Sequence, residues 1–151
     1  MPTDRDWIAT ATARLQETGR RAGGARSEII GQLAKERCAV SAEQLETTLS
    51  QQGRKVGRAS IYRALEALAE LNLVQRVDLG EAGSRWERSG AGSHHHHHHL
   101  LCTSCGSVVP FEDDALERAL HSLGDRNGYE LDAHDVTLHG RCATCATMKS
   151  N

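Results

Sequence analysis

The sequence predicts an α+β protein, with an N-terminal winged helix-turn-helix domain followed by a small α/β domain closed by a four-cysteine zinc site. Three observations predict it. Helical periodicity recurs over residues 4–70 and then gives way to two short runs around a glycine turn. A small, flexible stretch, Ser89-Gly90-Ala91-Gly92-Ser93, separates two compositional halves. Beyond it stand two Cys-x-x-Cys pairs, Cys102/Cys105 and Cys142/Cys145.

The elements follow in order. Trp7, Ile8, Ala11 and Leu15 recur at helical spacing within 4–18, and Gly19 ends that run. A second helix carries Ile29, Ile30, Leu33 and Ala34 on one face. Ser41 with Gln44 three residues on forms a capping box that opens a third helix with Leu45 and Leu49 inside, ending near Gly53. A fourth helix starts about Arg58; Ile61, Leu65 and Leu68 line one face, and Arg58, Tyr62, Arg63 and Glu66 the other. Val74 to Leu79, Gly80-Glu81-Ala82-Gly83 and Ser84 to Arg88 read as a β-hairpin. Three helices and then a hairpin is the order of a winged helix.

In the second half, Leu100-Leu101 and Val108-Val109 read as short strands around a Cys-rich turn. Asp113 or Asp114 caps a helix with Leu116, Ala119, Leu120 and Leu123 inward. Tyr129 to Leu131 and His134 to His139 read as two more strands. The expected domains are 1–88, a hinge over 89–99 that holds metal-ligand histidines, and 100–151 for metal binding and dimerisation.

The net charge is −2, so the chain is not a generally basic polyanion binder, but the charge is uneven. Arg14, Arg20, Arg21, Arg26, Lys35, Arg37, Arg54, Lys55, Arg58 and Arg63 fall in the first half, whereas 112–135 is mostly acidic. That asymmetry suits a polyanion on one half and cations or a partner on the other. Aromatic residues make up 3%, so two small aliphatic cores need a metal clamp or a dimer interface to support them. With no apolar stretch long enough for a membrane and no signal peptide, the expected compartment is the cytoplasm.

Two cysteine pairs in that compartment favour zinc over disulfides. Two intervening residues let both thiolates of a pair turn to one ion, and four thiolates close a structural Zn²⁺ site. Cys38, alone in a helical stretch, reads as a small buried apolar residue. His94 to His99 form six consecutive histidines. A purification tag and a nonspecific metal-binding tract are the plain readings. Strand alternation offers another: His97 and His99 face one way, His96 and His98 the other. Glu87 lies near the first pair in sequence, and Glu117 and His134 can serve the second. Imidazole and carboxylate suit Zn²⁺, Fe²⁺ or Mn²⁺.

Gly57-Arg58-Ala59-Ser60-Ile61-Tyr62-Arg63-Ala64-Leu65 resembles the recognition-helix motif of the ferric uptake regulator family, G-L-A-[ST]-[VI]-Y-R-x-L. His96 to Gly106 resembles its H-H-x-H-L-x-C-x-x-C-G motif, and Val40 to Leu45 its second-helix signature. The resemblance spans roughly residues 19–145. It implies a metal-dependent repressor that binds a double-stranded, pseudo-palindromic operator as a homodimer, with no membrane and no small-molecule substrate.

The resemblance also implies roles. Tyr62 and Arg63 contact bases, Arg58 and Ser60 lie near the backbone, and Arg21 and Arg26 lie near DNA. Cys102, Cys105, Cys142 and Cys145 hold structural zinc. His96, His98, Glu117 and His134 match a dimerisation-domain metal site, and Glu87, His97 and His99 match three ligands of the sensory site. One or two further divalent metals per chain are therefore expected, Fe²⁺, Zn²⁺ or Mn²⁺.

The sequence departs from the pattern where Ala39 and Pro110 stand at positions that supply sensory-site ligands; Cys38, Glu112 or Asp113 are candidate substitutes. Ser89 replaces the hinge cysteine of zinc-sensing members, and Glu87 the aspartate of peroxide sensors. Both lean towards iron, with a zinc-responsive regulator as the alternative. An enzyme reading lacks an open metal position at the cysteine clamp and a nucleophile–base pair. A metal-storage or chaperone protein leaves the Tyr62/Arg63 helix unexplained.

Overall fold

In the computed structural model, residues 3–89 and 97–148 are described. The chain divides into two compact units, Met1–His94 and His95–Asn151. The expected hinge glycines and His94 to His96 lie outside the described residues.

The first unit has four helices and a hairpin. Helix α1 (Asp4–Glu17) opens on a capping box in which Thr3 accepts from the Asp6 N–H and the Asp6 carboxylate accepts from the Thr3 N–H. It buries Trp7, Ala11 and Leu15. Helix α2 (Ala25–Leu33) buries Ile29, Ile30, Gln32 and Leu33. Helix α3 (Ala42–Gln51) starts at the Ser41–Gln44 capping box and buries Leu45 and Leu49. Helix α4 (Arg58–Glu70) buries Ile61, Ala64, Leu65, Ala67 and Leu68. The apolar members of this set form one core that also includes Trp86. Each large buried aliphatic group contributes about 1.5–3 kcal/mol.

Strands β1 (Val74–Asp78) and β2 (Ser84–Arg88) pair antiparallel, Val74 opposite Arg88, around a 3₁₀ turn at Gly80–Ala82. The wing is anchored by a bridge the sequence did not announce: Val40 and Trp86 exchange backbone hydrogen bonds of 2.9 and 2.8 Å. Cys38 corrects an expectation. It sits, half-buried, in a bend and not within a helix, because α2 ends at Leu33 so that Val40 can reach β2.

The second unit is a three-stranded sheet in the order β4-β3-β5, with β3 at His98–Cys102, β4 at Val108–Phe111 and β5 at Thr137–Gly140. β4 runs antiparallel to β3, and β5 runs parallel to it. Helix α5 (Asp114–Arg126) is capped by Asp113, whose carboxylate accepts from the Leu116 N–H at 2.7 Å. A short helix α6 (Ala143–Thr147) begins at Cys142.

Two more expectations need correction. Tyr129–Leu131 is not a strand. Gly128 (φ 75°) turns the chain back after α5, the Tyr129 N–H donates to the Gly124 carbonyl, and Leu131 packs over Gly124. The inward face expected of α5 is also only partly covered: Leu116 and Leu120 are half-buried, whereas Ala119 is exposed and Leu123 is 50% exposed. One short helix over a three-stranded sheet leaves part of its apolar stripe facing outward. Among the described residues, no helix is long and apolar enough to cross a membrane.

Candidate metal centres and nucleic-acid interface

Strand pairing assembles the cysteine cluster. The parallel register sets Cys102 opposite Gly140, two residues before Cys142. The Thr103 N–H donates to the Gly140 carbonyl at 2.8 Å and fixes that alignment. The Gly106 N–H donates to the Cys102 carbonyl at 2.9 Å, and Gly106 adopts φ 72°, which closes the knuckle around Cys105. The four sulfurs then lie within 4.8 Å of one another, with Cys105 Sγ and Cys142 Sγ 4.0 Å apart. Tetrahedral zinc with bonds of about 2.3 Å requires sulfur separations of roughly 3.8 Å, so the donor set fits that ion.

The electrostatics of the cluster are uneven. The Cys142 backbone N–H donates to Cys102 Sγ at 3.3 Å, and together with the backbone of Cys105 and Ser104 it lowers the Cys102 thiol to about 6. Hydrogen bonds with the Cys142 and Cys105 side chains, aided by burial, push Cys145 up to about 12. Cys102 is therefore a preformed thiolate near neutral pH, and Cys145 must shed its proton when a metal enters.

A second cluster gathers around Glu117. His98, on β3 and 1% exposed, places Nε2 2.6 Å from Glu117 Oε1. His134, just before β5, places Nε2 3.0 Å from Glu117 Oε2. The donors of all three lie within 4.8 Å of one another. Phe111 tilts against His98 with ring centroids 5.4 Å apart and walls one side. Two imidazoles and a carboxylate are a divalent-metal donor set. His96, the fourth residue expected here, lies outside the described residues.

His99 on β3 and His97 just before it do not belong to that cluster. Their rings meet edge to face, with centroids 4.9 Å apart. Glu87 is placed on β2 of the first unit, where its Oε1 accepts from Gln75 Nε2 at 2.6 Å.

The remaining expected residues lie on the first unit. Helix α4 buries Ile61 and Leu65 and presents Arg58, Tyr62 and Arg63 outward, Tyr62 being 46% exposed. Arg63 Nη2 donates to Ser60 Oγ at 3.2 Å. Arg58 is engaged by Glu46 of α3, with its Nε and Nη2 at 2.9 and 2.6 Å from one carboxylate oxygen. Arg26 Nη1 donates to the Arg21 carbonyl at 2.9 Å and orders the basic turn before α2. The Arg58–Glu46 pairing was not read from the sequence; only the docking of α3 on α4 brings the two together.

A helix of exposed Arg and Tyr on a winged-helix core, joined to a unit with two clusters of metal donors, defines a metal-responsive DNA-binding transcription regulator rather than an enzyme. Residues 17–139 match the ferric uptake regulator family model, and the chain belongs to that family. It is 34% identical over 106 residues to the Bacillus subtilis (strain 168) ferric uptake regulation protein, covering 70% of this chain and 71% of that one. The crystal structure of the Vibrio cholerae ferric uptake regulator matches with a TM-score of 0.76 at 30% identity, over 87% of this chain and 98% of that one. The Helicobacter pylori ferric uptake regulator, which has three functional metal binding sites, shares the fold with a TM-score of 0.84 at 22% identity, over 98% and 97% of the two chains.

Proposed function

We propose that this family member is an iron-favouring repressor that binds pseudo-palindromic operators as a homodimer in the cytoplasm and controls metal-homeostasis genes. The observation that carries the reading is the two-faced α4 helix. Its apolar face is locked into the core while Tyr62 and Arg63 project outward. A guanidinium can read guanine bidentately in the major groove, and Arg58, Ser60, Arg21 and Arg26 are suited to hold the backbone.

Cys102, Cys105, Cys142 and Cys145 hold structural zinc, which stabilises the small C-terminal unit. His98, Glu117 and His134, with His96, hold a second ion. Glu87, His97 and His99 hold the regulatory ion. A bound divalent cation supplies directional coordination that holds its donors together. Glu87 precedes the Ser89–Ser93 stretch in sequence and the two histidines follow it. Their joint ligation therefore favours one DNA-competent arrangement, and the ion acts as an allosteric ligand.

Dimerisation draws support from the sheet. Leu100 is the cross-strand partner of both Val109 and Leu138, so the three form one apolar row, 43%, 50% and 47% exposed. A second copy of the chain can cover such a row.

The lack of a hinge cysteine at Ser89 and the glutamate at Glu87 favour iron. Zinc is the second reading, because paired imidazoles such as His97 and His99 also suit it. The test is to select duplexes from a random pool and then titrate binding against Fe²⁺, Zn²⁺ and Mn²⁺. Tightest binding with Fe²⁺ is expected. Equal affinity with and without divalent metal overturns the regulatory reading, and tight metal binding with no DNA affinity favours a storage protein.

A further inference from the structure

A buried guanidinium joins the wing to helix α3. Arg85, on β2 and 8% exposed, places Nη1 2.5 Å from Gln44 Oε1. That oxygen also accepts from the Ser41 N–H at 2.8 Å, which is one half of the capping box that starts α3. One carboxamide oxygen therefore takes a donor from the wing and a donor from the helix start. Next along the strand, Trp86 makes the backbone bridge to Val40. Backbone and side chain thus hold β2 to the same end of α3. A charged donor makes such a tie directional, which apolar packing alone does not.

The two ends of this tie lead to functional residues. Two residues after Arg85 on β2 stands Glu87, and strand alternation puts both on one face of the hairpin, opposite Val77 and Gln75. Two residues after Gln44 on α3 stands Glu46, whose carboxylate holds Nε and Nη2 of Arg58 at 2.9 and 2.6 Å at the start of α4. All of these residues belong to the first unit.

We propose that Arg85 is a positioning residue for DNA recognition, coupling the strand that carries Glu87 to the helix whose Glu46 holds Arg58. The inference rests on the reading of Glu87 as a regulatory ligand and deepens it. An ion that draws on the Glu87 carboxylate constrains the end of β2. Arg85 passes that constraint to the first turn of α3, and Glu46 passes it to Arg58. The DNA-facing side of α4 is adjusted within the first unit, through a continuous chain of hydrogen-bonded and packed groups.

The test uses the full chain with zinc in the cysteine site and a duplex selected from a random pool. Fluorescence anisotropy gives the DNA affinity without metal and with saturating Mn²⁺, an air-stable stand-in for Fe²⁺, and the ratio of the two is the readout. Arg85→Ala is expected to lower that ratio at least about fivefold while the metal-free affinity stays within about twofold of the parent. Gln44→Ala should lower the ratio as well, and Arg85→Ala/Gln44→Ala no further than Gln44→Ala alone, because both changes remove one contact. Arg85→Lys, which keeps a cationic donor, should restore part of the ratio. An unchanged ratio in both single variants, losses that add in the double variant, or a loss shared equally by the metal-free and Mn²⁺-bound states overturns the Arg85 assignment alone. If Glu87→Ala keeps the parent ratio, the regulatory reading of Glu87 fails, and the Arg85 assignment with it.

Discussion

His98 and Glu117 lie 19 residues apart in the chain, yet their side chains meet with 2.6 Å between Nε2 and Oε1. The contact joins β3 to α5 at a histidine that is 1% exposed. A carboxylate shared by two imidazoles serves two ends. It ties the helix to the sheet, and it keeps three metal donors on one spot.

Glu117→Ala should therefore act on stability as well as on metal content. Removing the carboxylate leaves the buried His98 nitrogen without this partner, a loss of about 1–3 kcal/mol. Denaturant unfolding of metal-free protein measures that loss. Metal analysis of the reconstituted variant should show one ion fewer per chain, with the cysteine-bound zinc retained.

The cysteine cluster predicts proton release. Cys145 is raised to about 12, so it is protonated in the metal-free protein at pH 7 and must lose its proton to ligate zinc. Cys102, lowered to about 6, is largely deprotonated at that pH and takes up protons only as the pH falls through 6. Zinc uptake at pH 7 should release at least one proton per ion, read by calorimetry in buffers of different ionisation enthalpy. Affinity should therefore already fall as the pH is lowered from 7, and more steeply below 6 as Cys102 also takes up a proton; a pH-independent affinity would contradict the assignment.

Gly124→Ala should destabilise the second unit. An added Cβ would lie 2.8 Å from Leu131 Cγ and 3.1 Å from the Tyr129 carbonyl oxygen. Overpacking costs about 1–3 kcal/mol, partly offset by the roughly 1 kcal/mol that alanine gains over glycine in a helix. A net loss of about 1 kcal/mol is expected by thermal unfolding, and a raised Tm would show that Leu131 yields freely.

On the DNA side, Arg63→Ala should cost about 1–3 kcal/mol on a selected operator and little on random duplex, while Tm stays unchanged. Its exposed position makes folding insensitive to the change. Equal losses on both duplexes would make Arg63 a phosphate contact.

Glu46→Gln should work in the opposite direction. The Glu46 carboxylate holds both Nε and Nη2 of Arg58, so it competes with DNA phosphate for that guanidinium. Releasing Arg58 should tighten binding and steepen the salt dependence by about one unit of slope. Fluorescence anisotropy across a salt series reads both.

Local chemistry made much of this protein legible before any coordinates. The Ser41–Gln44 capping box, the apolar face of α4 and the two Cys-x-x-Cys pairs are short-range patterns, and each depends on neighbours within a few residues. The family resemblance rested on those same stretches. Long-range pairing was not legible. Nothing near Tyr129–Leu131 showed that Leu131 would fold back onto Gly124 instead of joining a sheet. Nothing near Arg58 marked Glu46 as its partner, nor did anything near Trp86 mark Val40. The parallel register of β3 with β5 brings Cys102 alongside the second knuckle, and the packing of α5 sets Glu117 between His98 and His134. Residue type and spacing determine which side chains can bind a cation. Which of them share one depends on contacts between distant segments, and these are decided only when the whole chain packs.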